Sequence, residues 1–143
     1  MAKKFVEHKT LNLTNVNNEV LDTWKEKDVF RKSVEEKEGC PEFIFFEGPP
    51  SANGHPGIHH VMGRTIKDTF LRYKTMKGFQ VKRKAGWDTH GLPVELSVEK
   101  NLGITKEDIG KKISVDDYND ACRKNVMMYT DEWAQLTDKM GYW

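Results

Sequence analysis

The sequence predicts an α/β fold, the first half of a parallel-sheet nucleotide-binding domain with flanking helices. Three observations predict it. Phe43-Ile44-Phe45-Phe46 is a continuous apolar run, the pattern of a strand buried on both faces of a parallel sheet. A Gly/Pro-rich turn, Gly48 to Gly57, follows it and leads into a segment with apolar residues at helical spacing. A second short run, Phe79 to Arg83, then completes a β-α-β unit, right-handed by the usual crossover rule.

The elements follow in order. Residues 1–15 alternate weakly between polar and apolar (Phe5, Val6, Leu11, Leu13) and read as an extended lead-in. A helix is expected from about Asn17, its cap, to Glu38, with Val20, Leu21, Trp24 and Val34 on its apolar face. Gly39 ends it and Pro41 bars its continuation. After the turn, a long helix from about Ile58 to Met76 should bury Ile58, Met62, Ile66, Phe70 and Tyr73, and Gly78 stops it. Leu92 to Leu102 reads as a helix opened around Pro93, while Thr105 with Asp108 and Ser114 with Asp117 read as helix starts. The last helix is the clearest: Tyr118, Cys122, Val126, Tyr129, Trp133, Leu136 and Met140 step by four or three, as core positions do.

Composition narrows the function. The 143 residues allow one ordinary domain. With 23 Lys/Arg against 22 Asp/Glu, a charge-driven nucleic-acid binder is disfavoured, though a local basic face is not. No run approaches the ~18 apolar residues of a membrane span, and the N-terminus lacks the apolar region of a secretory signal. Cys40 and Cys122 are far apart and read as reduced thiols in a cytoplasmic protein. Only two strands are expected before the chain stops at Gly141-Tyr142-Trp143, and such a pair is unstable alone, so the sequence reads as a fragment.

Two stretches carry the chemistry. The turn and helix start at Gly48–His60 offer unpaired N–H groups and a positive dipole end, which suit a phosphate. His55, His59 and His60 lie within six residues there. An imidazole in that first helical turn can donate to phosphate oxygens and share developing charge. Idle exposed histidines compete with this reading, and so does a zinc site, although no cysteine or carboxylate stands at ligand spacing. The second stretch, Gly86-Trp87-Asp88-Thr89-His90-Gly91-Leu92-Pro93, follows the second strand, at the carboxyl end of the sheet where open α/β sheets bind ligands. Asp88 beside Trp87 suits an ammonium group; capping the following turn is the other reading.

Glu47-Gly48-Pro49-Pro50-Ser51-Ala52-Asn53-Gly54 and Gly86-Trp87-Asp88-Thr89-His90-Gly91-Leu92-Pro93-Val94-Glu95 resemble the isoleucyl-tRNA synthetases, which are class I aminoacyl-tRNA synthetases. The intervening Arg64-Thr65-Ile66-Lys67-Asp68 and the spacing match too, and the resemblance continues to Trp143. It implies a Rossmann-like fold, with an N-terminal extension and helix over residues 1–40 and the first half of the catalytic domain over 41–143. It also implies ATP-dependent activation of isoleucine to an adenylate, then transfer to tRNA(Ile). By resemblance Gly48, Pro49, Trp87 and Asp88 hold the amino acid, and Asn53, Gly54, Gly57 and His60 hold ATP, brought with Mg2+ as substrate. The chemistry is in-line attack of a carboxylate on the α-phosphorus, so the protein contributes positioning and charge stabilisation.

The departures are specific. The family's His-x-Gly-His signature falls on Gly57, Ile58, His59 and His60. His60 matches its second histidine, Gly57 replaces the first, and His59 stands where the glycine belongs. His59 and His55 are both candidates for the missing imidazole, and the catalytic pair is assigned to His60 and His59. The Lys-Met-Ser-Lys-Ser loop, the editing domain and the anticodon-binding region are absent from the sequence, and no metal site is expected in it, zinc belonging elsewhere in the full-length family. The whole enzyme is expected to be a cytoplasmic monomer without membrane contact. This segment alone is expected to bind ATP or isoleucine weakly at most, with negligible aminoacylation. Two other readings stand beside it. One is a small nucleotidyltransferase with a related histidine motif. The other is a non-catalytic tRNA-binding module using Arg64, Lys67, Arg72, Lys82, Arg83 and Lys84.

Overall fold

The computed structural model describes residues 10–143. Among the described residues six α-helices are formed: α1 (Leu13–Glu26), α2 (Val29–Glu35), α3 (Ile58–Met76), α4 (Leu92–Leu102), α5 (Val115–Val126) and α6 (Thr130–Met140), with a 3-10 turn at Lys106–Asp108. The lead-in expected over residues 1–15 lies, up to residue 9, outside the described residues, and its last three residues already belong to α1.

The expected half of a Rossmann-like parallel sheet is not present: no strand forms among the described residues. Segments 41–51 and 79–88 do run side by side in parallel, but they meet only at isolated bridges, Glu42 with Gln80 and Ser51 with Asp88. Phe43 N–H donates to the Gln80 carbonyl at 2.9 Å, and Asp88 N–H donates to the Pro50 carbonyl at 2.9 Å. Register explains why no ladder joins them. From 42 to 51 the first segment advances nine residues, while from 80 to 88 the second advances eight. One extra residue, as in a bulge, throws the side-chain alternation of the two segments out of phase between the bridges, and Pro41, Pro49 and Pro50 supply no N–H. The apolar run is therefore not buried on two faces. Ile44 is 64% exposed and Phe46 90%.

The stripe expected to bury α3 is likewise open to solvent: Ile58, Met62, Ile66, Phe70 and Tyr73 are all exposed. Packing of α3 runs instead through its basic face. Arg72 pairs with Asp68 at 2.6 Å and donates to the Gly141 carbonyl, while its guanidinium lies 3.9 Å from the Trp143 ring centroid. Arg83 reaches Asp68, Thr75 and the Trp143 carbonyl. Trp24 and Phe30 pack edge-on against Trp143, which ties α1 and α2 to the same cluster.

Two predicted single helices are split. The N-terminal one is capped by Asn12, which accepts from Asn15 N–H at 3.1 Å, and breaks where Asp28 adopts a left-handed φ of 51°. The last one breaks after Val126. There Tyr129 N–H leaves the helical pattern to donate to the Ala52 carbonyl at 3.0 Å, so the interruption docks the helix on the turn. Other starts and stops follow the sequence. Pro93 opens α4, Gly103 closes it with φ 64°, and Ser114 caps α5 by accepting from Asp117 N–H at 3.1 Å. The core consists of Ala52, Val81, Val94, Val98, Tyr118, Val126 and Trp133.

Candidate functional site

The histidine turn and the Asp88 block converge. The Ser51–Asp88 bridge joins them, and Asn53 Nδ2 donates to the Pro93 carbonyl at 3.2 Å while its Oδ1 accepts from Ser51 Oγ at 2.7 Å. The Asn53 side chain, expected to face ATP, is thus occupied in holding the two blocks together. Gly48 and Gly54 have open space where a side chain would stand.

Helix α3 starts at Gly57, whose N–H donates to Nδ1 of His60 at 2.9 Å. This is the returning half of a capping box, glycine having no side chain to give the other half. With Nδ1 accepting, the proton of a neutral ring sits on Nε2, which leaves that N–H free to donate. The His60 pKa is lowered from its ordinary value by burial, then by His59 and by Arg64, so the neutral form is favoured. The N–H groups of Ile58 and His59 lie in the first helical turn, where no intrahelical acceptor exists.

The three imidazoles occupy different settings. His59 lies 3.8 Å from His60, ring centroid to centroid. A Cβ placed on Gly57 would meet His59 Cε1 at 2.9 Å and Nδ1 at 3.0 Å. The His59 ring therefore fills the space that a side chain at position 57 would enter. His55 faces away from this pair: Nδ1 meets Glu132 Oε2 at 2.7 Å, and the ring lies 4.1 Å from that of Tyr129.

Asp88 is half-buried, and the only hydrogen-bond partner of its carboxylate among the described residues is His90 N–H at 3.5 Å, a long contact for a turn cap. Trp87 is half-buried beside it, its ring 6.0 Å from that of Trp133. A groove of about 1140 Å³ opens next to these residues, lined by Phe45, Pro50, Trp87, Arg64 and Trp143 among others. Pro50 and Trp87 bring it to the edge of both motif blocks. Pro49 is exposed on the extended segment. No cluster of three potential metal ligands occurs among the described residues, and no helix there is long and apolar enough to cross a membrane.

Sequence reasoning missed two contributors. Periodicity places Trp133 in the core and gives it no site role, and Arg64 stands in the matching Arg64–Asp68 segment and on a basic face, with no role at the turn. Trp133 is 1% exposed, yet its Nε1–H donates to the Gly54 carbonyl at 2.9 Å and its ring meets the edge of His60 at 4.6 Å. Arg64 lies over the Trp133 ring at 4.8 Å. The available signal was the indole itself, because a buried tryptophan needs a partner for its N–H. The basic surface expected for a tRNA-binding module does not form as such. Arg83 is buried, Arg72 is turned onto Asp68, Lys67 pairs with Glu47 and Lys82 with Glu42.

Known proteins match the chain throughout. It is 73% identical over all 143 residues to an isoleucine–tRNA ligase of Bacteroides thetaiotaomicron and 66% identical over the same length to that of Porphyromonas gingivalis. The Streptomyces avermitilis isoleucine–tRNA ligase is 51% identical over 134 residues, 93% of the chain. The chain spans only 12–13% of the length of these relatives. The family model of the class I tRNA synthetases (I, L, M and V) matches residues 19–143. By that match, over most of its length, the chain belongs to the class I tRNA synthetases.

Proposed function

We propose that the chain supplies the nucleotide- and amino-acid-binding segment of an isoleucine–tRNA ligase, with isoleucine, MgATP and tRNA(Ile) as substrates and a cytoplasmic setting. The observation that carries the reading is the juncture of the two motif blocks. The Ser51–Asp88 bridge sets a half-buried carboxylate beside the turn that leads to the His60 donor. In this reading residues 41–143 carry the site and residues 1–40 form an extension. His60 Nε2–H and the first N–H groups of α3 receive the phosphates, with Asn53, Gly54 and Gly57 shaping the backbone around them. His59 serves as the second catalytic imidazole, because its ring stands where a side chain at 57 would be. Asp88 binds the ammonium group by a charge-assisted hydrogen bond, Trp87 borders the side chain, and Gly48 and Pro49 line the approach.

The reaction needs no covalent nucleophile. The isoleucine carboxylate attacks the α-phosphorus in line, pyrophosphate leaves, and charge gathers on oxygens that preorganised N–H donors stabilise. The nucleotidyltransferase and tRNA-module readings gain no support from the relatives, and the inward-turned arginines weigh against the second.

The test is amino-acid-dependent ATP–pyrophosphate exchange with the chain installed as the matching segment of the Bacteroides thetaiotaomicron ligase. Exchange should depend on isoleucine and fall by about a hundredfold or more in His60→Ala, the scale of a lost transition-state donor. Exchange that proceeds equally with an unrelated amino acid, or survives His60→Ala, would overturn the reading.

A further inference from the structure

We propose that Trp133 is a positioning residue that sets the backbone of the nucleotide turn from below. The proposal rests on the ATP-binding reading above. Three contacts run from the start of α6 onto three residues of the turn: Tyr129 N–H to the Ala52 carbonyl at 3.0 Å, Trp133 Nε1–H to the Gly54 carbonyl at 2.9 Å, and Glu132 to His55 at 2.7 Å. A peptide unit is planar and trans, so its C=O and the following N–H point in opposite directions. Holding the Ala52 carbonyl against α6 turns the Asn53 N–H away from α6. Holding the Gly54 carbonyl there turns the His55 N–H the same way. Neither N–H has a hydrogen-bond partner among the described residues. The Asn53 and His55 N–H groups, flanking Gly54, thus face one side as a pair of donors for an anion.

The indole does more than hold one carbonyl. Its ring packs on the edge of His60 at 4.6 Å, under the Arg64 guanidinium at 4.8 Å, and 6.0 Å from Trp87. A single buried side chain thereby joins the turn, the His60 donor and the Asp88 block. A residue that only filled space would need the ring and not the N–H.

That distinction is testable in the full-length chimera with the Bacteroides thetaiotaomicron ligase. Trp133→Phe removes the N–H and shrinks the ring. Replacing the Trp133 indole by its sulfur isostere, benzothiophene, removes the N–H and keeps the shape, so it decides the matter should the Phe variant not fold. In isoleucine-dependent ATP–pyrophosphate exchange, the isostere should raise KM for ATP about three- to tenfold, the scale of one lost hydrogen bond, with KM for isoleucine within about twofold. An unchanged KM for ATP in the isostere, or equal rises in both constants, would overturn the proposal. His60→Ala run alongside separates the two failures. If that variant keeps its ATP kinetics the nucleotide reading has failed; if it loses exchange while the isostere does not, Trp133 alone has been misassigned.

Discussion

Gly57 N–H donates to Nδ1 of His60 at 2.9 Å, and that hydrogen bond decides which ring nitrogen faces outward. Protonating Nδ1 would break it, in agreement with the lowered pKa that burial, His59 and Arg64 produce. The folded chain therefore holds fewer protons at this ring than the unfolded chain, between the folded pKa and the ordinary value of about 6.5. Stability from this group is fully present above the unfolded value and is lost as pH falls through the folded one. Urea midpoints from pH 5 to 8 should fall on acidification, and His60→Gln, which keeps an acceptor but does not titrate, should flatten part of that slope. Parallel slopes for the two proteins would contradict the assignment.

Gly57 and His59 are coupled through space. A Cβ on residue 57 would sit 2.9 Å from the His59 ring, while the φ of −109° is one that alanine accepts. Gly57→Ala must therefore displace the imidazole rather than strain the backbone. Part of its cost is the poorer N-cap, and part is the clash. In a double-mutant cycle with His59→Ala the clash portion should vanish, giving a coupling of about 0.5–1.5 kcal/mol in stability. Additive effects would show that the ring moves aside freely.

Local signals in the sequence were readable because they act over one or two turns. Pro93, Gly78 and the Ser114 cap each fix a boundary by its own chemistry, and the structure keeps all three. The convergence of the two motif blocks was readable as well, since the spacing matched a family with specific motifs. What failed was anything that needed a distant neighbour. The run Phe43–Phe46 has the composition of a buried strand, but burial requires partners on both faces, and one parallel neighbour out of register by a residue does not supply them. The α3 stripe, Ile58 to Tyr73, stays exposed for the same reason. Periodicity shows that one face is apolar, and says nothing about whether anything covers it. Tyr129 lies inside an unbroken helical repeat, yet the helix is interrupted there, where its backbone N–H goes to the Ala52 carbonyl; Trp133 stays helical, and only its indole N–H reaches the turn, at Gly54.

Asp68 is the single carboxylate between two guanidiniums. Arg72 approaches it at 2.6 Å and Arg83 at 3.5 Å, with the Arg83 side chain only 5% exposed. Burial pulls the Arg83 pKa down, and Asp68 opposes that shift. Replacing the carboxylate by an amide leaves two crowded cations without a counter-charge in a site that water reaches poorly. Asp68→Asn should cost about 3 kcal/mol, which chemical denaturation would read directly. A loss under about 1 kcal/mol would mean that the aromatic rings of Trp24 and Trp143, rather than the ion pair, hold the arginines.

The exposed pair His55–Glu132 offers the opposite case. Its side chains are 67% and 49% exposed, so solvent screens the attraction and ordering two side chains offsets most of what remains. Glu132→Gln should shift stability by no more than about 0.5 kcal/mol. The same substitution should leave the turn in place, because Tyr129 N–H and the Trp133 indole still hold Ala52 and Gly54. Val98→Ala is the matched control: its side chain is 2% exposed between α4 and α5, and its loss should cost about 1.5–3 kcal/mol through lost burial and a cavity. Thermal or urea unfolding of the two variants side by side checks both. A Glu132→Gln loss rivaling that of Val98→Ala would move the anchor of the turn from the buried indole to the surface pair.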